Sequence, residues 1–278
     1  MTYREAYALG EKILDMAHIV DAKNDAWLLL EMACRIDRTY FYVHMDEKIG
    51  ADDLKEYESV LKKRTERIPL QYITGEQEFM GYKFHVNSHV LIPRQDTETL
   101  VEEALKVIEP GMKVLDMCTG SGCIIISILK SISDVRGVGC DISKQALIVA
   151  KENAKLNEVN VEFERSDLFE NINEKFDVIV SNPPYIRSEV IPTLMPEVAQ
   201  FEPISALDGC EDGLEFYRRI IKESKNYLKE DGRILFEIGN DQGEDVSNML
   251  KYAGYYNVRV IKDLARNDRV VCGELKNH

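Results

Sequence analysis

The segment "FDVIVS", Phe176 to Ser181, reads as a buried strand and runs directly into "NPPY", a corner that cannot continue any regular structure. Pro183 and Pro184 lack a backbone N–H and fix φ, so they stop the strand and leave their carbonyls as acceptors with no competing donors. Asn182 adds a side-chain carbonyl and Tyr185 a flat ring. These groups suit a planar NH2: one hydrogen to the Asn182 side chain, another to the Pro183 carbonyl, the ring stacked on the plane. Such a nitrogen, on an amide or an aromatic amine, is a poor nucleophile because its lone pair is delocalised. Its proton is also too weakly acidic for a side chain to remove beforehand. Catalysis is then positioning, desolvation and carbonyl dipoles aimed at developing positive charge. Positioning can supply on the order of 7–11 kcal/mol.

Other strand ends carry a second set of residues. "DMCTGSG", Asp116 to Gly122, follows a strand, and Gly120 and Gly122 let the backbone turn sharply and approach a ligand at a helix start. A dinucleotide fingerprint would need a third glycine where Ile125 stands, and no GxxxxGK[ST] is present. Asp116 would repel a pyrophosphate but suits a ligand with a cationic amino group. Asp141 follows the glycines by about 20 residues, the distance at which an acid reaches ribose hydroxyls in such folds. By itself it could equally cap the helix at "SKQAL". Asp167 could accept from an adenine amino group and Leu168 could pack on the ring, although Asp167 alone is also an ordinary loop acid. Together the three strand ends describe an adenosine-containing ligand without a pyrophosphate, S-adenosylmethionine.

These corners need a parallel sheet to hold them. From Thr2 to about Arg67 apolar residues recur at three and four, predicting a small helical bundle. From Gln71 short alternating strands are expected, with "EQEFMGYKFHV" forming two around Met80-Gly81. "IPRQDTETLVEEALKVI" opens a helix that Asp96 or Thr97 can cap. After Gly111 strands and helices alternate to the end, the rhythm of a doubly wound α/β sheet whose ligands bind beyond the carboxyl ends of the strands. The boundaries read as 1–73 helical bundle, 74–92 β-hairpin connector and 93–278 catalytic domain.

The bulk composition bounds the partners. With 278 residues, 45% hydrophobic and 30% charged, the chain is an ordinary globular one. A net charge of −14 disfavours stable binding to a long phosphate backbone. No run is long and apolar enough to span a bilayer, and the amphipathic start lacks a signal-peptide design, so a cytoplasmic protein with no membrane partner is expected. The six cysteines form no CxxC pair, arguing against zinc and disulfides; they read as small buried residues. His85 and His89 are spaced like helical ligands, but their segment alternates like a strand, and no metal site is expected.

"NPPY" beside "DMCTGSG" resembles the class I methyltransferases acting on planar nitrogens. "RIPLQYITGEQEFMGYKFHVNSHVLIPRQDTE", "EPISALDGCEDGLEFYRRI", "FEIGNDQGEDV" and "RNDRVV" narrow the resemblance to the peptide chain release factor glutamine N5-methyltransferases, the PrmC/HemK family. The likeness runs through nearly the whole chain from Arg67 onward. It implies a seven-stranded Rossmann-like sheet with an N-terminal helical domain joined by a hairpin. It also implies S-adenosylmethionine as methyl donor, S-adenosylhomocysteine as product, and as substrate the glutamine of the Gly-Gly-Gln motif in class I release factors. By position Cys118, Thr119, Gly120, Ser121 and Gly122 line the methionine end, Asp141 binds ribose, Leu168 binds adenine, and Asn182 to Tyr185 hold the glutamine amide. The helical domain and hairpin would meet the release factor.

Three places depart from the family pattern. Cys118 stands for a glycine and is expected to wall the methionine pocket without strain. "IPRQDTE" replaces a commoner Arg-Pro-Glu-Thr-Glu run, and Cys210 replaces the second glycine of a pair. Three rivals remain at this stage: a ribosomal-protein glutamine methyltransferase, an adenine-N6 nucleic-acid methyltransferase, and a silent binding module. The adenine enzyme would need a basic, aromatic surface for base flipping, which the net charge opposes. A silent module would have no reason to keep an amide clamp facing a methyl-donor pocket.

Overall fold

The helical periodicity of the first residues becomes five helices, Tyr3–Met16, Ala22–Cys34, Arg38–His44, Ala51–Thr65 and Leu70–Thr74. Thr2 opens the first: its hydroxyl accepts from the Glu5 amide at 3.2 Å while the Glu5 carboxylate accepts from the Thr2 amide at 2.9 Å. This reciprocal pair satisfies two donors that the helix leaves unpaired. The apolar faces, with Trp27, Leu29, Leu30, Phe41, Tyr57 and Leu61, close one core. Gln71 to Thr74, expected as strand, is helical instead, because Pro69 presets its start and Gly75 stops it in a left-handed conformation.

The structure, a computed structural model, describes residues 1–276. They divide into two compact units, Met1–Gly75 with Met195–Phe201, and Glu76–Leu194 with Glu202 onward. The inserted piece holds a helix, Pro196–Phe201, that the sequence pattern did not announce. Within the first unit Arg64, its side chain 8% exposed, holds Asp25 at 2.8 Å and Glu197 at 2.9 Å. Arg67 takes the other Glu197 oxygen at 2.8 Å. Removing one partner from a buried network of this kind costs about 3–5 kcal/mol, because it strands a charge.

The second unit begins with the antiparallel hairpin β1 (Glu76–Phe79) and β2 (Tyr82–His85). Its two turn residues both have positive φ, 51° at Met80 and 75° at Gly81, as a tight right-twisted hairpin requires. Asn153 anchors the hairpin, accepting from the His85 amide at 2.6 Å and donating to the His85 carbonyl at 3.0 Å. The same side chain donates to the Ser121 carbonyl at 2.9 Å, so it also braces the glycine loop.

The remaining strands are β3 (Lys113–Met117), β4 (Arg136–Asp141), β5 (Val161–Arg165), β6 (Phe176–Ser181), β7 (Leu228–Glu237), β8 (Tyr255–Lys262) and β9 (Asp268–Leu275). They form one seven-stranded sheet in the order β5-β4-β3-β6-β7-β9-β8. All neighbours are parallel except β9, which runs antiparallel to β7 and β8. Helices Glu98–Leu105, Cys123–Ser131, Lys144–Leu156, Glu215–Ser224 and Gly243–Tyr252 belong to this unit, and β3 and β6 are almost wholly buried, as strands covered on both faces must be. The chain order reverses at β3, which has β4 on one side and β6 on the other. This is the switch point where open α/β sheets place ligands. No described helix is long and apolar enough to cross a membrane.

Candidate active site

A cavity of about 450 Å³ lies beyond the carboxyl ends of β3, β4, β5 and β6, a size ordinary for a small-molecule site. Its wall brings together Cys118, Thr119, Gly120, Ser121, Asp141, Asp167, Leu168, Asn182 and Pro184. Asp116, Gly122, Pro183 and Tyr185 are not on that wall.

Asp141 accepts from the Ser143 amide through Oδ1 at 2.8 Å and from the Gly120 amide through Oδ2 at 2.9 Å. The carboxylate thus holds the glycine loop while keeping lone pairs for a ligand. Burial raises its pKa, and these amides oppose the rise. The helix-cap role open to Asp141 falls to Ser143, whose hydroxyl accepts from the Ala146 amide at 3.1 Å. Asp167 is held by Arg219 at 2.7 Å, so its reach toward a ligand is shared with that guanidinium.

Asp116 sits beneath the loop rather than in it. It is fully buried, Oδ2 accepts from the Thr119 hydroxyl at 2.6 Å, and Oδ1 has no partner. Burial pushes its pKa up to about 7, against the pull of Thr119. Cys118 has φ 62°, so the expected strain-free backbone is not found there. An L residue in that conformation costs about 1–2 kcal/mol; the chain turns at this point to send Thr119 N to the Cys140 carbonyl at 2.9 Å. The thiol does reach the cavity wall, and burial drives its pKa well up, keeping it neutral. Cys210, expected buried, is exposed, also with positive φ, and donates its amide to Asp208 at 2.9 Å.

Asn182 is fixed by a residue the sequence pattern gave another task. Its Nδ2 donates to the Thr97 hydroxyl at 3.3 Å, which leaves Oδ1 as the acceptor of the amide. Neither Thr97 nor Asp96 caps the helix at Glu98–Leu105 with its side chain. Thr97 is buried at the clamp, and Asp96 pairs with Arg269 at 3.0 Å. Behind the clamp, the Tyr185 hydroxyl donates to Glu237 Oε1 at 3.2 Å. The Tyr185 carbonyl accepts from Gln242 Nε2 at 3.0 Å, and Gly213 lies directly against it. An acid in the otherwise apolar "RILFEIG" was the one sequence sign of Glu237. Among the described residues no cluster of three or more His, Cys, Asp or Glu could hold a metal ion, and His85 closes β2 instead.

The sheet order, the loop after β3, the acid after β4 and the proline corner after β6 define a class I methyltransferase fold. A methyltransferase from Pyrococcus furiosus shares it at TM-score 0.55 and 15% identity, over 72% of this chain and 91% of that one. Residues 94–197 match the methyltransferase small domain, and residues 5–75 match the PrmC N-terminal domain. The chain belongs to the release factor glutamine methyltransferase family. The family member from Clostridium acetobutylicum is 47% identical over 274 residues, covering 96% of this chain and 95% of that protein. The one from Clostridium botulinum is 40% identical over 278 residues, 98% of each.

Proposed function

We propose that this chain transfers a methyl group from S-adenosylmethionine to the side-chain amide nitrogen of the glutamine in the Gly-Gly-Gln motif of class I release factors. The observation that carries it is the Asn182 side chain on the cavity wall, committed through Nδ2 to Thr97 and therefore presenting an acceptor. An acceptor is what an incoming NH2 needs.

The residues present fit the donor. Asp141, with both oxygens already ordered by amides, suits a ribose diol; Leu168 suits an adenine face; Cys118, Thr119, Gly120 and Ser121 suit the methionine end. Asp116, off the cavity wall, acts on the loop's shape rather than by contact. Bound there, S-adenosylmethionine supplies an electrophilic methyl on a sulfonium. The chain's own groups do the rest. Asn182 Oδ1 and a proline carbonyl take the two amide hydrogens and orient the nitrogen. Their dipoles stabilise the positive charge that grows as the N–C bond forms and the S–C bond breaks. The amide proton leaves after transfer, when the nitrogen has become acidic, so no strong base is required.

The helical unit, residues 1–75, is the surface we assign to docking the release factor, and cytoplasmic residence and the lack of a stable nucleic-acid partner follow from that substrate and the charge of −14. The test offers methyl-labelled S-adenosylmethionine with an unmodified release factor, and with the same factor carrying alanine at the motif glutamine. Label on the first alone is expected. Label on ribosomal protein or nucleic acid instead would assign the clamp to another planar nitrogen.

A further inference from the structure

One buried carboxyl in the second unit is not used by the chemistry above. Glu237 ends β7, the strand beside β6, and the register pairs Ser181 with Phe236, so Glu237 stands level with Asn182. It is 1% exposed. It shares the sheet face of Leu235, and a carboxyl is an expensive group to bury beside an apolar core.

Its side chain reaches the clamp. The Tyr185 hydroxyl donates to Oε1 at 3.2 Å, while Oε2 has no partner. Thr97, whose oxygen receives the Asn182 amide, lies near enough to Glu237 for its hydroxyl to pull the carboxyl's pKa down. Arg269, from the head of β9, faces the carboxyl while pairing with Asp96 at 3.0 Å and Asp263 at 3.2 Å. The Tyr217 hydroxyl donates to the Glu237 backbone carbonyl at 2.8 Å.

We infer that ionised Glu237 is a positioning residue for the transfer: as acceptor for Tyr185 and Thr97 it sets the ring and locks the Asn182 amide with Oδ1 toward the substrate. Resting on the glutamine reading above, this explains a buried acid that touches neither donor nor substrate. When Glu237 takes a proton it can donate as well as accept and its pull on the Thr97 hydroxyl weakens, so Thr97 can turn its own proton to Asn182 and let the amide flip its NH2 toward an incoming NH2.

The geometry has a pH signature. Burial lifts the Glu237 pKa to about 7, with Thr97, Arg269 and Tyr185 pulling it down and Asp96 pushing it up. The acid limb of the kcat profile therefore falls as pH drops through about 7. Tyr185, Tyr217 and Cys123, also near the carboxyl, are all driven upward and stay neutral there. Asp116 titrates in the same range, but on the glycine-loop side.

The experiment measures kcat, the KM for release factor and S-adenosylmethionine affinity from pH 5.5 to 9 for wild type, Glu237→Gln, Thr97→Val and the double variant. Glu237→Gln is expected to lower kcat at pH 8 at least tenfold, to leave both affinities within about twofold, and to flatten the acid limb. The double variant should lose no more than the worse single one, since both act through Asn182. An unchanged acid limb in Glu237→Gln, or additive losses in the double variant, overturns the inference while the glutamine reading stands. Absence of wild-type transfer to the glutamine removes that reading and this inference with it. Glu237→Gln keeps shape and size; should it fail to fold, Thr97→Val decides, and wild-type kcat in that variant refutes the linkage.

Discussion

Gly213→Ala probes how tightly the proline corner is held. Gly213 has φ 76°, and a Cβ there would lie 2.4 Å from the Tyr185 carbonyl oxygen and 2.8 Å from Gln242 Nε2. The carbonyl would have to retreat by at least about 1.0 Å to reach an ordinary contact, which parts it from Gln242. Alanine at positive φ costs about 1–2 kcal/mol, and losing one of the two acceptors of the buried Gln242 Nε2 adds about 1–3 kcal/mol. The sum is a loss of about 2–5 kcal/mol in stability. Since a displacement of about 1 Å at a reacting group can cost about a hundredfold in rate, a drop of tenfold or more in kcat is expected as well. Gly81→Ala is the matched control, with φ 75° and nothing within 4 Å of its Cβ. It should lose only the conformational part and keep its turnover. Urea denaturation and the methyl-transfer assay on both variants decide. Equal stability losses and equal rates would refute the idea that Gly213 exists to admit the Tyr185 carbonyl.

Asn182→Ala should cut turnover by orders of magnitude with little change in S-adenosylmethionine affinity; parallel losses of both would remove the clamp assignment. Asp141→Ala should weaken donor binding in calorimetry, both through the ribose contact and by releasing the Gly120 amide; unchanged affinity would contradict it. Asp116 has a folded pKa near 7, well above the free carboxylate value, so the folded state holds its proton more tightly and stability falls as pH rises through that window. Asp116→Asn removes this at about 1.4 kcal/mol per pH unit, so its gain in denaturation midpoint should be larger at pH 8 than at pH 4.5. Arg64→Met should destabilise by about 3–5 kcal/mol by stranding Asp25 and leaving Glu197 to Arg67 alone, read from the same denaturation curves.

What could be read from sequence was whatever is written locally. Strand ends announce themselves by a buried run meeting glycines, acids or prolines, so the cavity walls at Gly120, Asp141, Leu168 and Asn182 were legible in the sequence. What escaped depends on distant partners. Asp96 and Thr97 look like caps because the next residues are helical, yet Arg269 and Asn182 claim them across the fold. Glu237 becomes meaningful only through the register of β6 with β7. The helix at Pro196–Phe201 belongs with the first 75 residues through Glu197, a link no periodicity encodes. The positive φ of Cys118 is likewise invisible in a residue type that seldom adopts it.

The placement of β9 has a consequence for how the enzyme comes into being. This strand follows β8 in the chain but slots between β7 and β8, so during synthesis β8 emerges with no neighbour to pair with. The edge of the sheet beyond β7 therefore closes in a single late event, when β9 pairs with both β7 and β8, and its non-local pairing forms slowly. Arg269 arrives with that event. Until then the Glu237 carboxyl lacks the guanidinium that draws its pKa down. A chain with most of its helices and five parallel strands in place therefore still lacks the cation that favours an ionised Glu237.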